Sequence, residues 1–182
     1  FCQSTLSYGR AQEAEPDRRM IPIEPIVAEV RETAGLANDA SISWITAIER
    51  GLSVDADPDQ LFRVLLNLVR NAAQALEGNP NSDRASMQIR VSGRREGAVA
   101  ILEVSDTGPG LPQTTREHLF EAFQSSGRPG GSGLGLTIAA ELVRAHDGDI
   151  HLVEGTIGAT FRIVIPDRPV ELLSVRNERA RA

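Results

Sequence analysis

The sequence predicts an α/β fold, a two-layer sandwich in which a mixed sheet of about five strands carries three helices on one face. Three observations predict it. Apolar residues recur at helical spacing over residues 24–37, 57–77 and 134–145. Short stretches at 20–23, 41–48, 52–54, 87–94, 98–105, 150–154 and 160–165 have the alternation or β-branched content of strands. A length of 182 residues suits one domain, or one domain with a fragment attached.

Residues 1–19 are polar and end in an Asp17-Arg18-Arg19 charge run. Residues 20–23 (MIPI) read as a short edge strand, where Pro22 is tolerated. Ile26, Val27, Val30 and Ala34 give the first helix its stripe. Ile42, Trp44, Thr46 and Ile48 alternate in a strand, and Glu49-Arg50-Gly51 predicts a turn into a second short strand near 52–54. The long helix that follows has a clear start. Asp57 can cap it, Pro58 fits the first helical position and Gln60 stands where a capping box wants it. Its apolar stripe is Leu61, Leu65, Leu68, Val69, Ala72 and Leu76, and Glu77-Gly78 closes it. Residues 87–94 and 98–105 predict a hairpin turning at Glu96-Gly97. Ala100, Leu102 and Val104 share a face, and Asp106 continues their phase, so its side chain should point to the core side. Residues 107–132 are rich in Gly and Pro without a regular period, the length and composition of a functional loop or lid. A last helix closes at Asp147-Gly148, and a final hairpin turns around Gly155 to Gly158.

Net charge is 19 − 25 = −6, which argues against a dedicated nucleic-acid binder. No apolar run reaches the roughly 18–20 residues of a membrane span. Cys2 is the only cysteine, which excludes an intrachain disulfide and points to a reducing compartment. All 19 basic residues are arginine. Without lysine, a Walker A lysine, a kinase strand lysine and Schiff-base chemistry are excluded. The chain opens on Phe1, as an excised piece of a longer protein would.

Three groups carry candidate chemistry. Asn67 and Asn71 lie one turn apart on the polar arc of the long helix, with Gln60, Arg63, Arg70 and Gln74. A carboxamide can ligate a hard cation through oxygen or donate to an anion through nitrogen. An ordinary solvated face is the competing reading, although Asn is a poor helix former there. Asp106 before Thr107-Gly108 is either a turn Asp bonding its own backbone or a carboxylate accepting from the exocyclic amine of adenine. Gly108 and Gly110 would let a flat base approach the backbone. Residues 130–136 (GGSGLGL) open a helix, where free N–H groups and the helix dipole attract phosphate. A flexible linker is the alternative, but linkers lack the alternating Leu134 and Leu136.

Taken in order, these segments resemble the ATP-binding domain of sensor histidine kinases, in the larger group that includes gyrase B, Hsp90 and MutL. Residues 66–76 (LNLVRNAAQAL) are similar to that family's N box, 104–111 (VSDTGPGL) to its G1 box and 119–123 (LFEAF) to its F box. Residues 131–136 (GSGLGL) resemble G2, and 155–161 (GTIGATF) resemble the last glycine motif. The resemblance covers about residues 20–166 and implies the fold of that group with a long ATP lid over about 107–132.

It also implies site residues. Asn71 would ligate Mg²⁺ bridging the triphosphate, with Asn67 and Gln74 beside it. Asp106 would take the adenine amine, and Gly108, Gly110 and Leu111 would shape the base pocket. Gly131, Ser132, Gly133, Leu134, Gly135 and Leu136 would meet the phosphates, and Thr160 would lie near the base. Phe120 and Phe123 would anchor the lid. Many members carry Lys where this chain has Gln74, so either Arg128 or Arg70 supplies the phosphate charge or phosphate binding is weaker. His118, His146 and His151 match no phosphoacceptor motif and read as surface or packing residues. No phosphoacceptor box is present, while residues 4–10 (STLSYGR) resemble the end of the helical hairpin that carries it. The implied organisation is a hairpin end over 1–15, a catalytic domain over 16–168 and a charged tail over 169–182. ATP-hydrolysing relatives place a Glu where this chain has Asn67, so phosphoryl transfer is expected over hydrolysis. The implied partners are ATP, a response-regulator receiver domain and the protein's own dimerisation hairpin in a homodimer, with no nucleic acid. The implied location is the cytoplasm, as part of a protein that an inner-membrane anchor could hold. An anti-sigma-type serine kinase and a non-catalytic ATP-binding scaffold are the rival readings.

Overall fold

The computed structural model describes residues 14–78, 87–116, 119–120 and 134–169. In chain order the elements are β1 (Arg19–Pro22), α1 (Ile23–Thr33), β2 (Ser43–Ile48), β3 (Ser53–Ala56), α2 (Pro58–Glu77), β4 (Gln88–Glu96) and β5 (Val99–Asp106). They continue with the single turn α3 (Gln113–Arg116), α4 (Gly135–Ala145), β6 (Asp149–Leu152) and β7 (Thr160–Pro166). A five-stranded sheet runs in the order β2-β4-β5-β7-β6, and β1 and β3 form a separate two-stranded ribbon. The large sheet is mixed: β2 pairs parallel with β4, and the other pairs are antiparallel. With α1, α2 and α4 over the sheet, this is the expected two-layer α/β sandwich.

The core lies between the layers. From α2 come Leu61, Val64, Leu65, Leu68, Val69, Ala72 and Leu76, and from α4 Ala139, Ala140, Leu142 and Val143, all buried. Ile89, Val91, Ala100, Leu102, Val104, Ile163 and Ile165 face them from the sheet. This continuous apolar burial is the main stabilising term, at about 25 cal/mol per Å² removed from water.

The long helix starts as its sequence predicts, with one difference. Asp57 Oδ1 accepts from the N–H groups of Asp59 and Gln60, each at 3.0 Å, and Pro58 occupies the first turn. Gln60, however, does not reach back to complete a capping box. Its Nε2 donates to Ala14 O at 2.9 Å, and the Asp57 N–H goes instead to His146 Nε2 at 3.0 Å. The strands β2 and β3, joined by the expected turn, do not pair with each other: β3 pairs antiparallel with β1 while β2 joins the edge of the large sheet beside β4. Parallel pairing is non-local and leaves no turn signature between its strands.

Three carboxylates are held as anions by this architecture. Burial pushes the Asp55 carboxyl up, but hydrogen bonds from Arg168 and the charges of Arg18 and Arg168 outweigh it and hold the group below the ordinary value of 3.8. Burial also opposes ionisation of Asp57 and Glu103. Backbone N–H donors from Gln60, Asp17 and Asp59 override it at Asp57, and Arg162 and Arg94 override it at Glu103. A depressed folded-state pKa contributes stability that is complete above the unfolded value and is lost as pH falls through the folded one. Thermal melts should therefore show these groups' share intact above 4.5, the ordinary Glu value, and declining below it and below 3.8 for the aspartates. Asp55→Asn should flatten that acid limb. An acid limb of unchanged steepness in the variant would contradict the assignment.

Candidate functional site

One face of α2 carries Asn67, Asn71 and Ala75, each four residues from the next. All three are half-buried, whereas Arg70 and Gln74 point to solvent on the adjoining arc. The two ends of this face meet different elements. At Asn67, the first residue of α4 is the neighbour: a Cβ built on Gly135 would lie 3.7 Å from Asn67 Oδ1. At Ala75, the turn after β5 is the neighbour: a Cβ built on Gly108 would lie 3.5 Å from Ala75 Cβ. Eight residues at 1.5 Å rise separate the ends by about 12 Å.

The β5 end is built around Asp106, which is 5% exposed. Its Oδ1 accepts from the Gly108 N–H at 2.8 Å and from the Ala159 N–H at 3.3 Å, and its own N–H donates to Ala159 O at 2.9 Å. The turn bond that competed with the functional reading is thus present, and it orients the carboxylate rather than consuming it, since a carboxylate has about four acceptor sites. Gly158 makes the arrangement possible. It has φ +70°, and a Cβ there would lie 2.0 Å from Asp106 O and 2.8 Å from Asp106 Oδ1. Gly110, at φ +73°, backs onto the same residue, with its Cβ position 3.0 Å from Gly158 O. Thr107 extends the β4–β5 ladder by one rung, its Oγ1 accepting from the Gln88 N–H at 2.9 Å and its N–H donating to Gln88 O at 3.2 Å.

Thr160 does not join this group. It pairs with Ser105 across β5 and β7, and its Oγ1 donates to Ser105 Oγ at 3.0 Å. Successive strand residues point to opposite faces, so Ser105 and Thr160 occupy the face away from Asp106. The residue beside Asp106 is Ala159, which contributes a backbone N–H and no hydroxyl. Sequence reasoning missed Ala159 and Ala75 because what they offer is a backbone donor and a small surface, which residue type does not advertise. The alternation of β7, continued one residue back from Thr160, is the signal that could have found Ala159.

The α4 end is a helix N-terminus. Leu134 is its N-cap without a side-chain capping bond, and Leu134 O accepts from the Ile138 N–H at 2.9 Å. The first-turn N–H groups and the helix dipole there favour an anion. Leu111 and Leu136 are half-buried against the core, as is Phe120, which meets Phe161 edge-to-face with centroids 6.5 Å apart. Phe123, Arg128, Gly131, Ser132, Gly133 and His118 lie outside the described residues. His151 is partly exposed beside Asp149, and His146 is buried. Among the described residues no helix is long and apolar enough to cross a membrane.

Residues 56–169 match the family described as histidine kinase-, DNA gyrase B-, and HSP90-like ATPase, and the chain belongs to that family. Among curated relatives it is similar to the sensory histidine kinase/phosphatase NtrB of Klebsiella oxytoca, 41% identical over 116 residues that cover 62% of this chain and 33% of the relative. It is also similar to NtrB of Rhizobium leguminosarum bv. phaseoli, 34% identical over 162 residues that cover 83% of this chain and 42% of the relative. The chain thus spans less than half the length of either. Among solved structures it is similar to full-length ShkA in complex with AMPPNP, with a TM-score of 0.68 and 27% identity over 82% of this chain and 31% of that one.

Proposed function

We infer that the chain is the ATP-binding catalytic domain of a two-component sensor histidine kinase. It passes the ATP γ-phosphate to a histidine outside residues 1–182, and from there the phosphate goes to a response-regulator aspartate. The observation that carries the reading is the layout of α2. One helix face meets a fixed carboxylate and a glycine turn at Ala75, and a glycine-led helix N-terminus at Asn67, about 12 Å apart. That is the span between an adenine and the far end of its triphosphate. Similarity to the NtrB proteins and to AMPPNP-bound ShkA supports it.

The roles follow from chemistry. The Asp106 carboxylate accepts from the adenine amine, held in place by the Gly108 and Ala159 N–H groups. Gly108 and Ala75 leave room for the base edge. The N–H groups opening α4, with the preceding glycines 131 and 133, take the phosphates. Asn71 suits Mg²⁺, because it presents a hard amide oxygen on the half-buried face of α2 between the two ends. When bound, the metal neutralises charge on the triphosphate. Asn67 stands at the phosphate end as an amide, without a carboxylate to deprotonate water, so the isolated chain should bind ATP with little turnover. Residues 107–132 act as the lid, residues 1–15 continue a dimerisation hairpin of a homodimer, and 169–182 form a tail. The location is cytoplasmic.

Asn71→Asp tests the phosphate end. A second anion beside the triphosphate should weaken MgATP binding at least about tenfold while the thermal midpoint stays near that of the parent chain. Unchanged affinity by calorimetry would remove Asn71 from the site.

A further inference from the structure

Where the chain comes into the domain and where it leaves, the two strands of backbone hold each other through a buried carboxylate. Arg18 precedes β1, and its side chain is 4% exposed. Its Nε donates to Asp55 O at 3.2 Å, its Nη1 to His146 O at 2.9 Å and to Asp147 Oδ2 at 3.0 Å, and its Nη2 to Pro166 O at 2.5 Å. Nη2 also lies 3.4 Å from Asp55 Oδ2. Arg168 follows β7. Its N–H and Nε reach Asp55 Oδ2 at 2.9 and 3.0 Å, and its Nη2 reaches Asp55 Oδ1 at 3.1 Å. The same Nη2 donates to the carbonyl of Arg18. The contact is therefore reciprocal: the incoming arginine holds the outgoing backbone at Pro166, the outgoing arginine holds the incoming backbone at Arg18, and both share Asp55.

The incoming segment is fastened further along. The Asp17 N–H donates to Asp57 Oδ2 at 2.9 Å, and Ala14 O accepts from Gln60. The partners differ in exposure, and that difference separates their roles. Arg18 and Asp55 are buried, so removing either leaves buried polar groups short of partners and threatens the fold. The Arg168 side chain is 52% exposed, so it can leave the carboxylate without stranding its own charge. None of these residues belongs to the cleft around Asp106 and Asn71.

The geometry points to a clasp in which Arg168, at the outgoing end, sets how firmly residues 14–22 are held to the domain, independently of the nucleotide cleft. With Arg168 in place, Asp55 is doubly paired and β1 moves with the domain. With the Arg168 side chain withdrawn, Asp55 keeps Arg18 and the residue-168 N–H but loses the guanidinium, and the incoming segment opens locally before the core does. A change at the residues after 168 would thereby alter the stiffness of the connection to whatever precedes residue 14.

Hydrogen exchange on the whole 182-residue chain and its Arg168→Gln variant tests this. Amides of residues 17–22 should exchange about tenfold faster in the variant, with β4 and β5 unchanged. Arg168→Lys, which keeps the charge but loses the two-pronged contact, should fall between. ATP affinity, measured alongside, should not move; if the parent chain does not bind ATP, the exchange pattern alone still decides the clasp. Unchanged exchange at 17–22 would overturn the proposal. So would equal acceleration in β4 and β5, which would make Arg168 a general stabilising residue.

Discussion

Asp106→Asn should weaken ATP binding by about 100-fold or more and leave the domain folded. The amide keeps an oxygen that can accept from the Gly108 and Ala159 N–H groups, so the β5 turn survives. What changes is the side facing the base, where an NH₂ donor now meets the donor amine of adenine. Losing a hydrogen bond to a charged acceptor costs about 1.5–3 kcal/mol, and opposing donors add to it. At about 1.4 kcal/mol per tenfold, the sum reaches two orders of magnitude. Calorimetry with the parent and variant chains, each checked by far-ultraviolet circular dichroism, reads this directly. A folded variant that binds ATP as the parent does would remove Asp106 from the base pocket.

Gly158→Ala should have the largest effect on stability. The added Cβ meets the Asp106 carbonyl oxygen at 2.0 Å, a backbone atom that cannot swing aside, at a residue already in the left-handed region. Relief requires parting the start of β7 from the end of β5, at a cost of about 3 kcal/mol or more. That corresponds to a drop of roughly 10 °C in thermal midpoint for a domain of this size. Gly155 supplies the control. It has φ +75° but nothing within 4 Å of its Cβ position, so Gly155→Ala carries only the conformational penalty of about 1 kcal/mol. Equal melting shifts for the two variants would show that the Asp106 contact is not what demands glycine at 158. Because Gly158 also shapes the surroundings of the carboxylate, any Gly158→Ala protein that stays folded should bind ATP more weakly.

Much of this arrangement was legible in the sequence, and the exceptions have physical causes. The cap, the N1 proline and the apolar stripe of α2 are local signals, and the helix formed where they placed it. The phase of Ala100, Leu102 and Val104 put Asp106 on the core side, where it is buried. Pairings between distant strands were not legible: β3 sits beside β1, and β2 beside β4, through contacts that no turn residue announces. The half-built capping box failed for a related reason, since Ala14 and His146 compete for the groups that would have closed it. Around the site, side chains with distinctive chemistry stood out, while the Ala159 N–H and the Ala75 surface did not. Thr160 was placed near the base by motif likeness, and strand alternation puts it on the other face. In the sequence Arg18 is one member of a polar charge run; only the fold brings Asp55, Pro166 and Arg168 around it.

A single adenine nucleotide is expected to lie along α2, its base against Asp106 and its phosphates toward Asn67 and α4. Calorimetric titration of the 182-residue chain with ATP and with GTP, in the presence of Mg²⁺, tests it most directly. Guanine presents a carbonyl oxygen where adenine presents its amine, so the fixed carboxylate of Asp106 faces an acceptor instead of a donor. A site built to take a substrate N–H discriminates strongly against a ligand lacking it. ATP should bind saturably and one-to-one, and GTP at least about 100-fold more weakly. No ATP binding, or equal affinity for the two nucleotides, would contradict it.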